Sequence, residues 1–120
     1  MTKITFFKQN GIYYGFKEVG HTGFAEAGED ILCAALSSMT MLIINAIECS
    51  YASDVDYKID DESTDITVTC KAALPEYSDD ERKSYAISGL FQAYFLQLND
   101  MVEDYYDFIE VDEAEDGEKI

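Results

Sequence analysis

A chain of 120 residues, 48% of them apolar, can bury one modest core and is too apolar to remain an unfolded polymer. Its 25 acidic and 8 basic residues give a formal net charge of −17, which excludes a nucleic-acid binder working through phosphate contacts, because such affinity depends on Lys and Arg displacing counterions. The same charge favours basic partners, although acidity also serves plain solubility.

The elements follow in chain order. Ile4 to Lys8 reads as a strand, and Gln9-Asn10-Gly11 supplies the Asn-Gly pair that a two-residue hairpin turn prefers. Ile12 to Val19 returns as a second strand, with Ile12, Tyr14 and Phe16 on one face and Tyr13, Lys17 and Val19 on the other. Residues 20–28 are small, acidic and glycine-punctuated and read as a loop. From Asp30 the pattern turns helical, with Ile31, Leu32, Ala35, Met39, Leu42, Ile43, Ala46 and Ile47 near a 3.6-residue period. Asp54 to Asp60 alternates as a third strand, with Val55, Tyr57 and Ile59 expected inward. A fourth strand places Ile66, Val68 and Cys70 on one face. After Pro75, Ser78 with Glu81 three residues later forms a capping box opening a long helix whose seam is Ile87, Phe91, Tyr94, Leu98, Met101 and Tyr105. Residues 108–111 read as a short last strand.

The order β-β-α-β-β-α, with that final β, predicts an α+β two-layer sandwich: a mixed or antiparallel sheet with two helices on one face. The expected organisation is a single domain over residues 1–112 and an acidic disordered tail over residues 113–120. The most apolar run, residues 39–47, is interrupted by Thr40 and Asn45, so no membrane partner is expected. The N-terminal stretch MTKITFFKQNG lacks the order of a signal peptide, and three cysteines without a spacing motif fit reduced thiols; the expected location is cytoplasmic.

The only histidine, His21, stands just past the second strand, and Cys33 falls in the first turn of the first helix. With Asp30 as N-cap, Cys33 is the third helical residue, where the positive end of the helix dipole and a neighbouring imidazole favour a thiolate. Gly20, Gly23 and Gly28 let the intervening loop hinge over a bound molecule, with Phe24 as its one large apolar side chain. That loop is expected to be poorly ordered when the site is empty and to close on peptide. The plainer alternative stands beside this: a lone Cys on an apolar helix is commonly a small core residue, and a lone His at a strand end is commonly surface decoration. Cys49 and Cys70 read as structural. One His and three scattered Cys offer no paired ligand spacing, so neither a metal nor another cofactor is expected.

The stretch GHTGFAEAGEDILCAALSSM resembles the signature of the ribosomal-processing cysteine protease family, Prp: a Gly-His pair, a short glycine-rich loop, an Asp-Ile/Val-Cys-Ala-Ala/Gly core and a Ser four residues after the Cys. Here these are Gly20-His21, the loop through Gly28, Asp30-Ile31-Leu32-Cys33-Ala34-Ala35, and Ser37. Thr22 departs from the usual Ala, and Leu32 from the usual Val. Element order and length fit the family over nearly the whole chain.

The resemblance implies a homodimeric cysteine endopeptidase of Firmicutes and related bacteria, which removes a short N-terminal extension from a large-subunit ribosomal protein. Cys33 is then the nucleophile and His21 the base that takes its proton and later protonates the departing amine. Asp30 orients the imidazole or only caps the helix; Ser37 hydrogen-bonds near the sulfur or only packs. Backbone N–H groups at the helix start are the oxyanion-hole candidates. The implied partner is a basic ribosomal protein, which an acidic surface would attract while repelling RNA. Two other classes fit the residues: a non-catalytic ribosome-associated factor that keeps the signature for structure, and a redox-sensing thiol protein oxidised at Cys33.

Overall fold

The structure, a computed structural model, describes residues 1–20, 27–60, 62 and 65–115, with side chains in the first helix described from residue 31. Strand β1 (Thr2–Gln9) turns into β2 (Ile12–Val19) through Asn10 and Gly11, whose φ angles of 52° and 79° are the pair that a type I′ turn requires. Gln9 faces Ile12 across that turn, so the hairpin expected from Asn-Gly is present.

One feature of β2 departs from simple alternation. Phe7 pairs with Gly15 and Lys8 with Tyr13, so Tyr14 is an extra, bulged residue. The bulge moves Tyr13 onto the face it was not expected to share with Phe16. The Tyr13 ring stacks on Phe95 at a centroid distance of 5.2 Å, while Tyr14 meets Phe7 at 6.1 Å.

Helix α1 (Ala27–Asn45) follows and widens into a π-helical turn at Ala46–Ser50. Strands β3 (Asp56–Ile59) and β4 (Ile66–Thr69) form an antiparallel pair, then two short 3-10 turns, Lys71–Ala73 and Pro75–Tyr77, bracket the proline. Helix α2 (Glu81–Tyr105) is capped by Asp80, whose side chain accepts from the N–H groups of Arg82 and Lys83. The cap therefore lies two residues later than the Ser78 capping box expected from sequence. The Ser78 hydroxyl accepts instead from the Asp80 N–H at 3.2 Å, turning the chain into the cap.

Strand β5 (Ile109–Glu115) closes the sheet, whose order is β3-β4-β2-β1-β5, with β5 parallel to β1 and the other neighbours antiparallel. It runs through Glu115, three residues past the boundary expected at residue 112. The parallel pairing arises because α2 carries the chain back across the sheet before β5 begins.

The α+β sandwich is thus a mixed five-stranded sheet with two helices. Its core is aromatic: Phe16 meets Tyr94 at 5.0 Å and Phe91 at 6.0 Å, and Phe6 packs on Phe95 at 5.3 Å. From the α2 seam, Ile87, Phe91, Tyr94 and Leu98 are buried, whereas Met101 and Tyr105 are half-buried. Each fully buried large apolar side chain contributes about 1.5–3 kcal/mol relative to exposure.

At the outer edge β3 is exposed along its length, and Tyr57 and Ile59, expected inward, are half in solvent. An edge strand with no helix over it has no inside face to offer. Val68 and Cys70, next in from the edge, are buried as expected. Gly15 lets β2 and β4 close up, since a Cβ there would lie 2.5 Å from the Val68 carbonyl oxygen.

Candidate active site

Strand β2 delivers the chain to Gly20, at φ 94°, where an added Cβ would collide with the Met1 carbonyl oxygen. The Gly20 N–H donates to Asp65 Oδ1 at 3.3 Å, so this glycine serves a close backbone approach at the mouth of the His21 segment. His21, Gly23 and Phe24, with the expected loop closure, lie outside the described residues.

Helix α1 starts at Ala27, not after Asp30. Gly28 is therefore a helical residue rather than part of the loop, and Asp30 lies within the helix rather than capping it. Cys33 sits two turns into α1, about 9 Å along the axis from Ala27. Amides in the body of a helix are committed to carbonyls four residues back, so the free N–H groups and the dipole end expected beside the sulfur belong to the turn before it.

Cys33 is half-buried on the border of the helix. Leu32 and Leu36 beside it are fully buried, and Ile31, Ala34 and Ser37 are exposed. A thiol on that border has buried core residues on one side and exposed helix residues on the other. Ser37, one turn further, faces solvent, which removes a packing role for it.

Sequence reasoning passed over a polar cluster beneath this region. Glu18 on β2 is fully buried, at 0% exposure, and Thr40 and Tyr94 are buried with it. The Tyr94 hydroxyl donates to Glu18 Oε1 at 2.5 Å and the Thr40 hydroxyl donates to the same oxygen at 3.2 Å. Burial, then the Glu18 carboxyl, push the Tyr94 phenol far above its usual range, so Tyr94 stays a donor at any working pH. The available signal was a glutamate two residues after Phe16 on the same strand face.

The remaining thiols are placed away from this border. Cys70 is buried, its Sγ donates to the Asp54 carbonyl at 3.3 Å, and burial raises its pKa, which keeps it an inert thiol. Cys49 is exposed at the π-helical turn. Among the described residues no cluster of three His, Cys, Asp or Glu side chains is placed to hold a metal ion. The stretch Ile31–Ser50, longer than the apolar run expected from sequence, is long and apolar enough by length and composition to cross a membrane. In the fold its Leu32, Leu36, Ile43, Ile44 and Ile47 are buried in the protein core.

The family model described as cysteine protease Prp matches residues 1–110. No curated protein matches the chain in a sequence search. Among crystal structures, SMU.848 from Streptococcus mutans is similar with a TM-score of 0.78 at 25% identity, over 96% of this chain and 98% of that one. The essential ribosomal processing protease Prp from S. aureus, in complex with a substrate peptide, is similar with a TM-score of 0.77 at 18% identity, over 95% of this chain and all of that one. The same S. aureus protease with a covalently linked product peptide gives 0.73 at 20% identity, again over 95% and 100%.

Proposed function

The chain belongs to the cysteine protease Prp family, and from that membership we propose that it is the endopeptidase that removes an N-terminal extension from a large-subunit ribosomal protein during ribosome assembly. The family makes it a cysteine protease acting on peptide bonds. The observation that carries the finer reading is Cys33: it stands on the half-buried border of α1 in a fold like that of a ribosomal processing protease bound to substrate peptide.

In this reading Cys33 Sγ, its proton passed to His21, attacks the scissile carbonyl carbon. The tetrahedral intermediate collapses as His21 returns that proton to the departing amine, leaving an acyl-enzyme. Water, deprotonated by His21, attacks the thioester, and the thiol and the new carboxyl end are released. Asp30 and Ser37 support the dyad from either side of Cys33 on α1, and the residues between Gly20 and the start of α1 at Ala27, with Phe24, form the substrate loop. The net charge of −17 supports a basic ribosomal protein as substrate and argues against direct RNA contact.

A cytoplasmic location follows from a ribosomal substrate. A homodimer is supported by the outward face of α1, where Ile31 is 64% exposed and Leu42 65%, with Met41 beside them, since an apolar stripe of that kind is stabilised by a second copy.

The test uses a peptide spanning the extension and cleavage site of the ribosomal protein encoded by the same genome. Wild-type protein cleaves it, Cys33→Ala and Cys33→Ser abolish cleavage, and His21→Ala nearly does, because no second histidine exists in the chain to replace it. Retention of most of the rate by His21→Ala would sink the dyad.

A further inference from the structure

We infer that Glu18, Thr40 and Tyr94 form a buried positioning cluster that sets the strand end leading to His21 against the helix face carrying Cys33. The inference rests on the proposed dyad but concerns different residues.

Glu18 occupies a central place. It pairs with Ile4 on β1 and with Ile66 on β4, and shares the helix-facing side of β2 with Phe16. From there its carboxyl reaches both helices at once, Thr40 on α1 and Tyr94 on α2. This shared oxygen therefore links the two helices through β2. A Leu or Met would fill the same space, and replacing a buried polar cluster by apolar side chains of similar volume is often neutral or stabilising. Stability alone therefore gives little reason for a glutamate in this position. A fully buried acceptor shared by two donors instead fixes orientation, because sliding or rotating α1 would leave polar groups unpaired in the core.

The orientation it fixes is the one the dyad needs. Glu18 stands three residues before His21, with Gly20 clamped between Met1 and Asp65. Thr40 lies seven residues after Cys33, so the two side chains leave α1 within about 20° of the same direction and about 10 Å apart along the axis. Anchoring Thr40 to β2 thus sets both the height and the rotation of Cys33 relative to the strand that leads to His21. Glu18 touches no substrate; it acts through these two elements.

The test compares full-length Glu18→Gln, Glu18→Met, Tyr94→Phe and Thr40→Val with wild type in three assays. These are peptide cleavage, the pH profile of Cys33 alkylation by iodoacetamide followed by peptide mass mapping, and thermal melting. Gln keeps an acceptor oxygen at the same reach and retains most of the activity. Met loses about 10- to 100-fold in kcat with KM little changed, the scale of a misplaced catalytic pair. Its Cys33 alkylation midpoint moves to higher pH, the shift expected when α1 turns Cys33 away from the strand end that leads to His21. Tyr94→Phe and Thr40→Val show smaller losses of the same kind, and they decide the matter if Glu18→Met does not fold. Melting changes with an unaltered alkylation profile and unaltered kcat would mean that the cluster is only structural and would overturn the inference. If wild-type protein fails to cleave the peptide, the protease reading fails separately, while the alkylation profiles still decide the positioning role.

Discussion

Three glycines of this chain allow backbone strain, steric collision and catalytic placement to be separated. Gly20 sits at φ 94°, and a Cβ there would overlap the Met1 carbonyl oxygen. Gly11 sits at φ 79° with nothing within 4 Å of its added Cβ, and Gly89, inside α2, has open space around it without a positive φ. Gly89→Ala should stabilise by about 0.5–1 kcal/mol, the helix-propensity gain with no packing cost. Gly11→Ala should destabilise by about 1–2 kcal/mol from strain at the hairpin tip alone. Gly20→Ala carries the same strain plus displacement of the Met1 backbone, about 2–4 kcal/mol together. Near this chain length each kcal/mol moves the melting temperature by roughly 3–5 °C, so the three variants separate clearly in a calorimetric scan. Cleavage adds a second axis. Gly20→Ala should also lower kcat/KM, because it shifts the residue that leads into His21, whereas Gly11→Ala should leave the folded enzyme as active as wild type. If Gly20→Ala melts no lower than Gly11→Ala and cleaves at the wild-type rate, the close approach to Met1 has been misjudged and Gly20 has no part in placing the dyad.

Salt should lower kcat/KM for the full-length basic substrate through slower association, and an uncharged peptide should show little effect; equal sensitivity of both in a stopped assay would dismiss electrostatic steering. Phe91→Ala should cost about 3–5 kcal/mol by chemical denaturation, because Phe91 is fully buried against Phe16, and a loss below 1 kcal/mol would mean that the core collapses onto the space. Glu113 accepts from Lys8 Nζ and from the Tyr13 hydroxyl, each at 2.7 Å, and the Lys8 bond first, then Tyr13, hold its pKa below 4.5. A depressed folded-state pKa gives stability that is present above the unfolded value and lost as pH falls through the folded one. Glu113→Gln should therefore melt lower than wild type at neutral pH and approach it as pH falls through the depressed folded-state pKa; a pH-independent gap would refute the linkage.

How far the sequence reached depended on whether a feature is decided locally. The hairpin was legible because Asn10 and Gly11 answer a backbone demand made within four residues, and the α2 seam was legible because Ile87, Phe91, Tyr94 and Leu98 repeat over many turns. The two helix starts were not. Ser78 and Asp80 are both competent caps, and the choice follows from the turn that Ser78 makes with the Asp80 N–H. Asp30 has the chemistry of a cap, yet α1 begins three residues before it. That displacement moves Cys33 away from the helix end and leaves its chemistry dependent on what faces it from other elements.

The bulge at Tyr14 was illegible for a related reason. One extra residue is worth its broken ladder only because Tyr13 then reaches Phe95 and Glu113, partners more than 80 residues away. The same bulge aligns Tyr13 with Phe16 and Glu18 on the face that meets the helices. A glutamate on that face reads, from the strand alone, as a break in the apolar pattern. It becomes intelligible only once α1 and α2 supply hydroxyls to it. The proposed dyad is a reading of the motif alone, because its chemistry is carried by residue type. The relative placement of β2, α1 and α2 is carried by distances between those three elements, and Glu18 is where they meet.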